Sequence, residues 1–213
     1  MGPIHYFLGL EVWQGDGELF VSKGKYANKI LQIFHMESCK PMETPLATNW
    51  RKEDATLGEE VYATIYQQLV GSLMYLVNTQ LDMFYAVNQL NQARVRPTKL
   101  YCKETKHLLW NLRGSTQYGL WYRRIEGVKL CGFTYADWAR IPLDEKNKSG
   151  VIFSVGYAIF SWSNKKQISM VLSSTKAEYM ATSQATSETI WMREILVGLF
   201  GQMMDPIVIY YDN

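Results

Sequence analysis

Three carboxylates stand where separate structural elements are predicted to begin or end. Asp137 lies near the end of a predicted strand, Glu178 in the first turn of a long predicted helix, and Asp212 at the end of the last predicted strand. Mg²⁺ takes oxygen ligands, and acids that converge from different elements supply them. Two such ions can activate water and stabilise the leaving oxygen of a phosphodiester. The same positions also suit a helix cap and two strand-end acids, so spacing alone leaves both interpretations open.

A basic segment, residues 94–129, is the second candidate for chemistry. It carries nine bases against two acids, a net charge of +7, whereas residues 37–62 carry six acids against three bases, a net charge of −3. Aromatic residues are interleaved with the bases, which suits a phosphate backbone with stacking contacts. The candidate nucleic-acid contacts are Arg94, Arg96, Lys99, Lys103, Lys106, Arg113, Arg123 and Arg124. A solvated helix face followed by a half-buried strand would give the same pattern.

The composition is that of a folded chain. The 213 residues are 47% hydrophobic and 20% charged, which gives enough apolar surface to offset chain entropy in one or two domains. No stretch approaches the roughly 18 apolar residues of a membrane span, and the N-terminus lacks the pattern of a signal peptide. Three widely spaced cysteines favour a reducing intracellular compartment, and they lack the spacing of a zinc site.

The first of two predicted units, residues 1–117, consists of a hairpin and helices. Alternation over residues 6–12 and a return over residues 18–22 predict the hairpin. Apolar residues recur at helical spacing in four segments, which predicts helices over residues 25–34, 61–77, 83–92 and 99–113. Gly114 is predicted to end the last helix as its C′ residue. Residues 39–58 contain two prolines and several charges, and they are predicted to form a loop.

The second unit, residues 118–213, is predicted to be a mixed sheet with one long helix. Strands are predicted over residues 119–124, 128–138, 151–155, 157–162 and 207–211. A turn at residues 126–127 and a polar loop at residues 139–149 connect three of them. The helix is predicted over residues 175–200, and Thr175 with Glu178 fits a capping box at its start.

Seven motifs, in order along nearly the whole chain, resemble the Pol polyproteins of copia-type LTR retrotransposons. They are Tyr6-Phe-Leu-Gly-Leu-Glu-Val12, Cys39-Lys-Pro-Met-Glu-Thr-Pro45, Leu69-Val-Gly-Ser-Leu-Met-Tyr-Leu76, Tyr118-Gly-Leu-Trp-Tyr122, Ser161-Trp-Ser163, Leu172-Ser-Ser-Thr-Lys-Ala-Glu-Tyr179 and Tyr211-Asp-Asn213. The resemblance implies an α/β and α+β chain. Residues 1–117 would be thumb and connection-like elements from the end of a reverse transcriptase. Residues 118–213 would be an incomplete ribonuclease H-like mixed sheet with a long helix.

The chain departs from the family in its polymerase part. The family's Tyr-x-Asp-Asp motif lies upstream of the stretch that this chain matches, so we expect no DNA synthesis by this chain alone. The hairpin near residues 6–13 resembles the family's primer-gripping element. The usual Thr-Arg-Pro-Asp of the connecting helices reads Thr79-Gln80-Leu81-Asp82. The family's fourth ribonuclease H carboxylate lies downstream of Asn213, so the second domain is expected to be truncated at its C-terminus.

The ribonuclease H motif departs from the family as well. The usual Gly-Tyr-x-Asp-Ala-Asp-Trp-Ala-Gly reads Gly132-Phe-Thr-Tyr135-Ala-Asp137-Trp-Ala-Arg140. The resemblance implies that Tyr135 replaces the leading catalytic aspartate, and that Glu178 and Asp212 match the next two carboxylates. A phenol with an ordinary pKa of about 10 is a poor ligand for Mg²⁺. The catalytic and metal-binding set would then be Glu178, Asp212 and a displaced Asp137, with Mg²⁺ or Mn²⁺ as cofactor.

Three hypotheses about function follow. The first is a fragment of a reverse transcriptase and ribonuclease H polyprotein, in which hydrolysis of RNA in RNA–DNA hybrids is lost or very weak. The second is a module that binds RNA–DNA hybrid or duplex without chemistry, with an affinity that falls steeply with salt. The third is a pseudogene product without a cellular role. The expected partners are hybrid or duplex nucleic acid and the polymerase portion of the polyprotein, with no membrane.

Overall fold

The computed structural model describes residues 4–124, 130–137, 148–166, 174–201 and 206–211. The chain divides into two compact units, Met1–Trp121 and Tyr122–Asn213. The predicted turn at residues 126–127, most of the predicted loop at residues 139–149 and the end of the chain lie outside the described residues. None of the described helices is long and apolar enough to cross a membrane.

The first unit contains a sheet of four strands in the order β1-β2-β3-β4. The strands are β1 (Tyr6–Phe7), β2 (Leu10–Gly15), β3 (Glu18–Ser22) and β4 (Gly119–Arg123). Strand β4 was predicted to start the second unit; its hydrogen bonds are to β3 at the edge of this sheet, and the boundary between the two units falls within it, after Trp121. Gly119 allows that approach, since a Cβ atom there would overlap the carbonyl of Val21.

The predicted strand over residues 6–12 is wrong, because the chain reverses between β1 and β2. Tyr6 pairs with Glu11 and Phe7 with Leu10, which leaves Leu8 and Gly9 as a two-residue turn. Their φ angles are 47° and 78°. Positive φ at both central residues produces the tight turn whose twist matches the flanking strands. The Tyr75 hydroxyl donates to the Leu8 carbonyl at 2.7 Å, and this bond supports a leucine in an unfavourable conformation.

The helices of the first unit are α1 (Gly24–Ile33), α2 (Lys52–Thr56), α3 (Ala63–Leu76), α4 (Phe84–Asn91) and α5 (Lys99–Ser115), with a short 3-10 helix at Leu81–Met83. The four predicted helices are confirmed as α1, α3, α4 and α5. The prediction of a loop over residues 39–58 is wrong at Lys52–Thr56, where the chain forms α2. The predicted stop at Gly114 is also wrong, because α5 continues to Ser115. The Gln80 side chain donates to the Ser115 carbonyl at 2.5 Å, which satisfies an acceptor at the helix end.

Apolar residues three and four apart in α3 build the core of the first unit. Val70 and Leu73 have no exposed surface, and they belong to the same buried cluster as Ile30 of α1, Leu90 of α4 and Leu108 of α5. Helices with apolar stripes of this width pack by burying the stripe against one another. This core fixes α5, which carries four of the predicted nucleic-acid contacts.

The second unit is a mixed sheet with one helix across it. Its elements are β5 (Leu130–Asp137), β6 (Lys148–Val155), β7 (Ala158–Lys166), α6 (Ser174–Phe200) and β8 (Val208–Tyr211). The strand order is β7-β6-β5-β8, with β8 parallel to β5 and the other pairs antiparallel. The expected combination of helices and sheets is therefore present, and the long helix begins one residue before its predicted start.

Small residues let α6 lie close to the sheet. Ala177, Ala181 and Ala185 recur every four residues and are all buried. They face a small core that includes Val151 and Phe153 of β6, neither of which has exposed surface. Side chains of a strand alternate between its two faces. One face of β5 therefore packs against α6, and the other face does not.

Candidate functional site

Strand β5 contains Tyr135 and the backbone of the predicted ligand Asp137. Thr134 is buried toward α6, whereas Phe133 and Tyr135 are 46% and 39% exposed. Tyr135 therefore lies on the face of the sheet opposite to the one that α6 covers. Alternation puts the backbone position of Asp137 on the same side as Tyr135. The side chain of Asp137 lies outside the described residues.

The phenol of Tyr135 leans across β6 toward β7. Tyr135 pairs with Gly150 in the antiparallel ladder, and a Cβ atom at Gly150 would overlap its ring. The Asn164 amide donates to the Tyr135 hydroxyl at 3.3 Å. Strand β8, which leads to Asp212, lies on the other side of β5. The Tyr135 side chain is thus directed away from the strand that leads to Asp212.

Glu178 is half-buried in the first turns of α6, next to Ala177 on the helix face that packs on the sheet. Asp212 lies outside the described residues. Within the described ranges, no group of three or more His, Cys, Asp or Glu side chains could hold a metal ion. The described donors at the predicted site are the Glu178 carboxylate and the Tyr135 phenol, which accepts a hydrogen bond from Asn164. The metal set of Glu178, Asp212 and Asp137 stays a prediction.

Helix α5 presents a basic face to solvent. Lys99, Lys103, Lys106 and Arg113 are all exposed, at spacings of three, four and seven residues. Acids of the segment 37–62 partly neutralise the positive charge at the start of α5. The Lys99 ammonium lies 2.7 Å from a carboxylate oxygen of Glu59, and the guanidinium of Arg96 contacts Glu60.

The other predicted nucleic-acid contacts are spread over the first unit and the start of the second. The guanidinium of Arg113 donates to the Glu37 carbonyl at 2.7 Å. Arg94 is exposed, and its carbonyl accepts from the Gln67 amide at 3.0 Å. Arg123 and Arg124 are exposed at the end of β4. The structure therefore groups the α5 bases on one face and pairs Arg96 and Lys99 with acids of the segment 37–62.

An aromatic cluster on the first sheet was missed by the sequence analysis. Trp13 pairs across the hairpin with Phe20, and both rings approach Trp121 of β4, at centroid distances of 5.6 Å and 5.2 Å. Trp13 and Trp121 are about half exposed. The alternation of residues 12–22 could have indicated the Trp13 and Phe20 pair. No local signal indicates Trp121, because β3 and β4 are separated by about a hundred residues.

A buried lysine was missed as well. Lys23 precedes α1 and is 3% exposed, and its ammonium lies 3.4 Å from the centroid of the Tyr75 ring. The same ammonium donates to the Tyr75 carbonyl at 2.5 Å. Burial lowers the pKa of Lys23 to about 8. This contact ties the start of α1 to the end of α3.

Comparisons with known proteins find relatives over nearly the whole chain. A retrovirus-related Pol polyprotein from transposon RE2 of Arabidopsis thaliana is 35% identical over 99% of this chain and 14% of its own length. A retrovirus-related Pol polyprotein from transposon TNT 1-94 of Nicotiana tabacum is 32% identical over 100% of this chain and 17% of its own length. An uncharacterized mitochondrial protein of Arabidopsis thaliana is 33% identical over 90% of this chain and 79% of its own length.

The chain thus spans about a seventh of the RE2 polyprotein that it matches. No protein-family profile matches the chain, and no solved structure matches it.

Proposed function

The chain belongs to the family of copia-type retrotransposon Pol polyproteins, and we propose that its second unit is a ribonuclease H-like domain without efficient catalysis. The first unit would be the thumb and connection-like end of the reverse transcriptase. The family role would be RNA-directed DNA synthesis with hydrolysis of RNA in RNA–DNA hybrids.

The topology of the second unit supports this assignment. Three antiparallel strands are followed by a long helix and by a strand that returns parallel to the first of them. A ribonuclease H-like sheet has this arrangement, in which the first strand, the helix and the returning strand each carry a catalytic carboxylate. In this chain the corresponding positions are Tyr135, Glu178 and Asp212.

The environment of Tyr135 carries the proposal that catalysis is lost or very weak. Its phenol cannot supply the anionic oxygen that a hard divalent cation prefers, and its ring is seated over Gly150 and bonded by Asn164. Asp137 follows two residues later on the same face. A displacement on the scale of two strand positions moves a ligand by about 7 Å, far beyond the tolerance of a preorganised site.

Hybrid cleavage tests the proposal. The full chain and its Glu178→Gln variant are incubated with a labelled RNA–DNA hybrid in Mg²⁺ and in Mn²⁺, beside an active ribonuclease H as a substrate control. We expect equal rates for the two proteins, because the site lacks its leading carboxylate. Metal-dependent cleavage by the unaltered chain that Glu178→Gln abolishes would contradict the proposal and would assign the missing role to Asp137.

The exposed basic face of α5 favours a second candidate function, which is nucleic-acid binding without chemistry. Lys103 and Lys106 lie one turn apart on this face, and the exposed Arg123 and Arg124 stand at the end of β4. Phosphate contacts release counterions, so affinity would fall steeply with salt and depend little on sequence. Replacement of Arg123 and Arg124 by alanine should flatten the salt dependence of hybrid binding. An unchanged slope would exclude these two residues from the interface.

A further inference from the structure

An apolar groove in the first unit lies between the end of α1, the start of α3 and the middle of α5. Its volume is about 370 Å³, near the lower end of the range of about 300–1,000 Å³ for small-molecule sites. The lining residues are Phe34, Met36, Val61, Tyr62, Ile65, Tyr66, Leu69, Cys102, Thr105, Lys106 and Leu109. We call this feature the α1–α3–α5 groove.

The floor of the groove offers an apolar surface because its polar atoms are bonded within the protein. Tyr66 is 3% exposed, and its hydroxyl donates to the Leu90 carbonyl at 2.7 Å. Thr105 is 1% exposed, and its hydroxyl donates to the Tyr101 carbonyl at 2.7 Å. With Leu69 and Leu109, these residues form a wall that a ligand can cover without losing hydrogen bonds to water.

The rim supplies one cation. Lys106 is exposed, and it is the one charged residue among those that line the groove in the described part of the chain. Burial raises the pKa of the Cys102 thiol, and the nearby Lys106 ammonium opposes this with a smaller effect. Tyr62 and Ile65, which are 85% and 66% exposed, complete the rim.

We propose that the α1–α3–α5 groove binds an amphipathic monocarboxylate, with its apolar body on the floor and its carboxylate beside Lys106. The groove volume of about 370 Å³ is sufficient for the apolar part of one such ligand. A single lysine acts as a point charge that matches a monoanion, whereas a phosphate dianion requires several donors. This site lies in the first unit, and it is independent of the hybrid chemistry proposed for the second.

The three free cysteines provide an internal readout of binding. Cys102 lines the groove, whereas Cys39 and Cys131 do not, and all three are partly exposed. Maleimide labelling followed by peptide mass spectrometry measures the rate at each cysteine in one sample. The probes are dodecanoate, dodecanol and dodecylammonium, each below its aggregation concentration, because they share one tail and differ in the charge of the head.

Dodecanoate is expected to slow labelling of Cys102 and to leave the rates at Cys39 and Cys131 unchanged. Dodecanoate should protect Cys102 to the same extent as dodecanol at a concentration about threefold lower, because one exposed ion pair contributes a preference of about this size. Dodecylammonium should be the weakest of the three. Equal protection by all three probes, or equal protection of all three cysteines, would show general adsorption of surfactant and overturn the proposal.

Two exposed substitutions test the rim without touching the core. Lys106→Met should make dodecanoate and dodecanol equivalent, whereas Lys103→Met, a matched change outside the groove, should preserve the difference. Ile65→Asp, which adds a carboxylate to a rim that still carries Lys106, should also remove the preference for dodecanoate. A carboxylate preference that survives Lys106→Met would overturn the proposal. So would Cys102 labelling that slows with protein concentration and not with dodecanoate, since a second copy of the chain would then cover the groove.

Discussion

The two units differ in how completely they enclose their apolar side chains. In the first, helices α1, α3, α4 and α5 share a continuous core, and side chains such as Leu73 and Leu90 have no exposed surface. In the second, α6 covers one face of the sheet over a smaller core around Phe153. On the other face, Phe133 stacks on Tyr210 with both rings about half exposed.

Long-range hydrogen bonds hold the loops and connections of the first unit. In the first unit, buried side chains reach segments that are distant in sequence. Thr98 donates to the Ala55 carbonyl at 2.5 Å, and Asn111 donates to the Met42 carbonyl at 3.0 Å. Many of the described hydroxyls of α6 bond within the helix instead, as Thr189 does to the Ala185 carbonyl at 2.7 Å. Long-range ties of the first kind stabilise the tertiary fold, whereas bonds within one helix do not.

The outer side of α6 strengthens this contrast. Ile190, Trp191, Ile195 and Leu199 are 55%, 59%, 40% and 71% exposed in the second unit. Contiguous apolar surface of this kind marks a site of association or a liability for aggregation. We therefore expect the second unit to be the less stable of the two and to open first in denaturant.

The largest expected effect follows from the smaller core of the second unit. Phe153→Ala should cost about 4 kcal/mol, because it removes a fully buried ring. Segment-resolved hydrogen exchange should then show loss of protection in β5, β6 and α6 with α3 and α5 unchanged. Phe133→Ala, a matched change on the exposed face, should cost far less. Equal loss of protection in both units would mean that they unfold as one, and an unaltered chain without a cooperative transition would favour a pseudogene product.

A pH effect confined to the first unit follows from Lys23. Burial lowers the pKa of Lys23 from 10.5 to about 8, so the unfolded chain binds more protons between these values. The free energy of unfolding should therefore rise with pH, by about 2 kcal/mol from about pH 7.5 to about pH 9.5. Measurements stay below about pH 10, because burial raises the pKa of Tyr66 and its ionisation on unfolding then acts in the opposite direction.

Two lysine variants check the origin of that pH effect. Lys23→Met should remove the rise in unfolding free energy, while Lys25→Met, at an exposed neighbour, should retain it. Denaturant titrations of the full chain, followed by a probe in the first unit, give the measurement. A rise that persists in Lys23→Met would assign it to another group.

Nucleic-acid binding bears on the comparison because the basic face of α5 belongs to the first unit. Replacement of Lys103 and Lys106 by alanine should reduce the slope of log affinity against log salt by about 2, close to one for each lost phosphate contact. Replacement of Arg96 and Lys99 is the matched control. It should reduce the slope less, because Glu60 and Glu59 already pair with these bases. If the two double replacements reduced the slope equally, Glu60 and Glu59 would have to release Arg96 and Lys99 when nucleic acid binds.

The smallest effect is expected at the ion pairs themselves. Arg96→Ala and Lys99→Ala should each leave the thermal unfolding curve almost unchanged, because both pairs are exposed to solvent. Thermal melts of the two variants beside the parent chain provide the check. A large drop in the melting temperature would show that the pairs hold the acidic segment in place.

Periodicity predicted the elements that bury a regular stripe. The stripe of α3, with Leu69, Val70 and Leu73 buried, fixes a helix because only one face can enter the core. The prediction failed where an unusual turn conformation or a residue distant in sequence determines the structure. The turn at Leu8 and Gly9 depends on a bond from Tyr75, and the continuation of α5 through Gly114 depends on Gln80.

The candidate site was predictable only in part. The residue pattern placed Glu178 near the start of a helix and Tyr135 in a strand, and both lie there. Nothing in the sequence indicates that the Tyr135 ring would rest on Gly150, because that contact depends on the register between two strands. The pairing of Lys99 and Arg96 with Glu59 and Glu60 was also hidden, since formal charges carry no information about neighbours in space.

The most direct test of the proposed ribonuclease H-like unit is hybrid cleavage in Mg²⁺ by Tyr135→Asp beside Tyr135→Asn and the parent, all three extended downstream of Asn213 by the family segment that carries the fourth carboxylate. The two variants leave the same space over Gly150 and differ in one charge. We expect metal-dependent cleavage by Tyr135→Asp and none by Tyr135→Asn or the parent chain. Adding Glu178→Gln to Tyr135→Asp should remove the cleavage. Equal rates for Tyr135→Asp and Tyr135→Asn, or cleavage by the parent chain at the rate of Tyr135→Asp, would contradict the proposal.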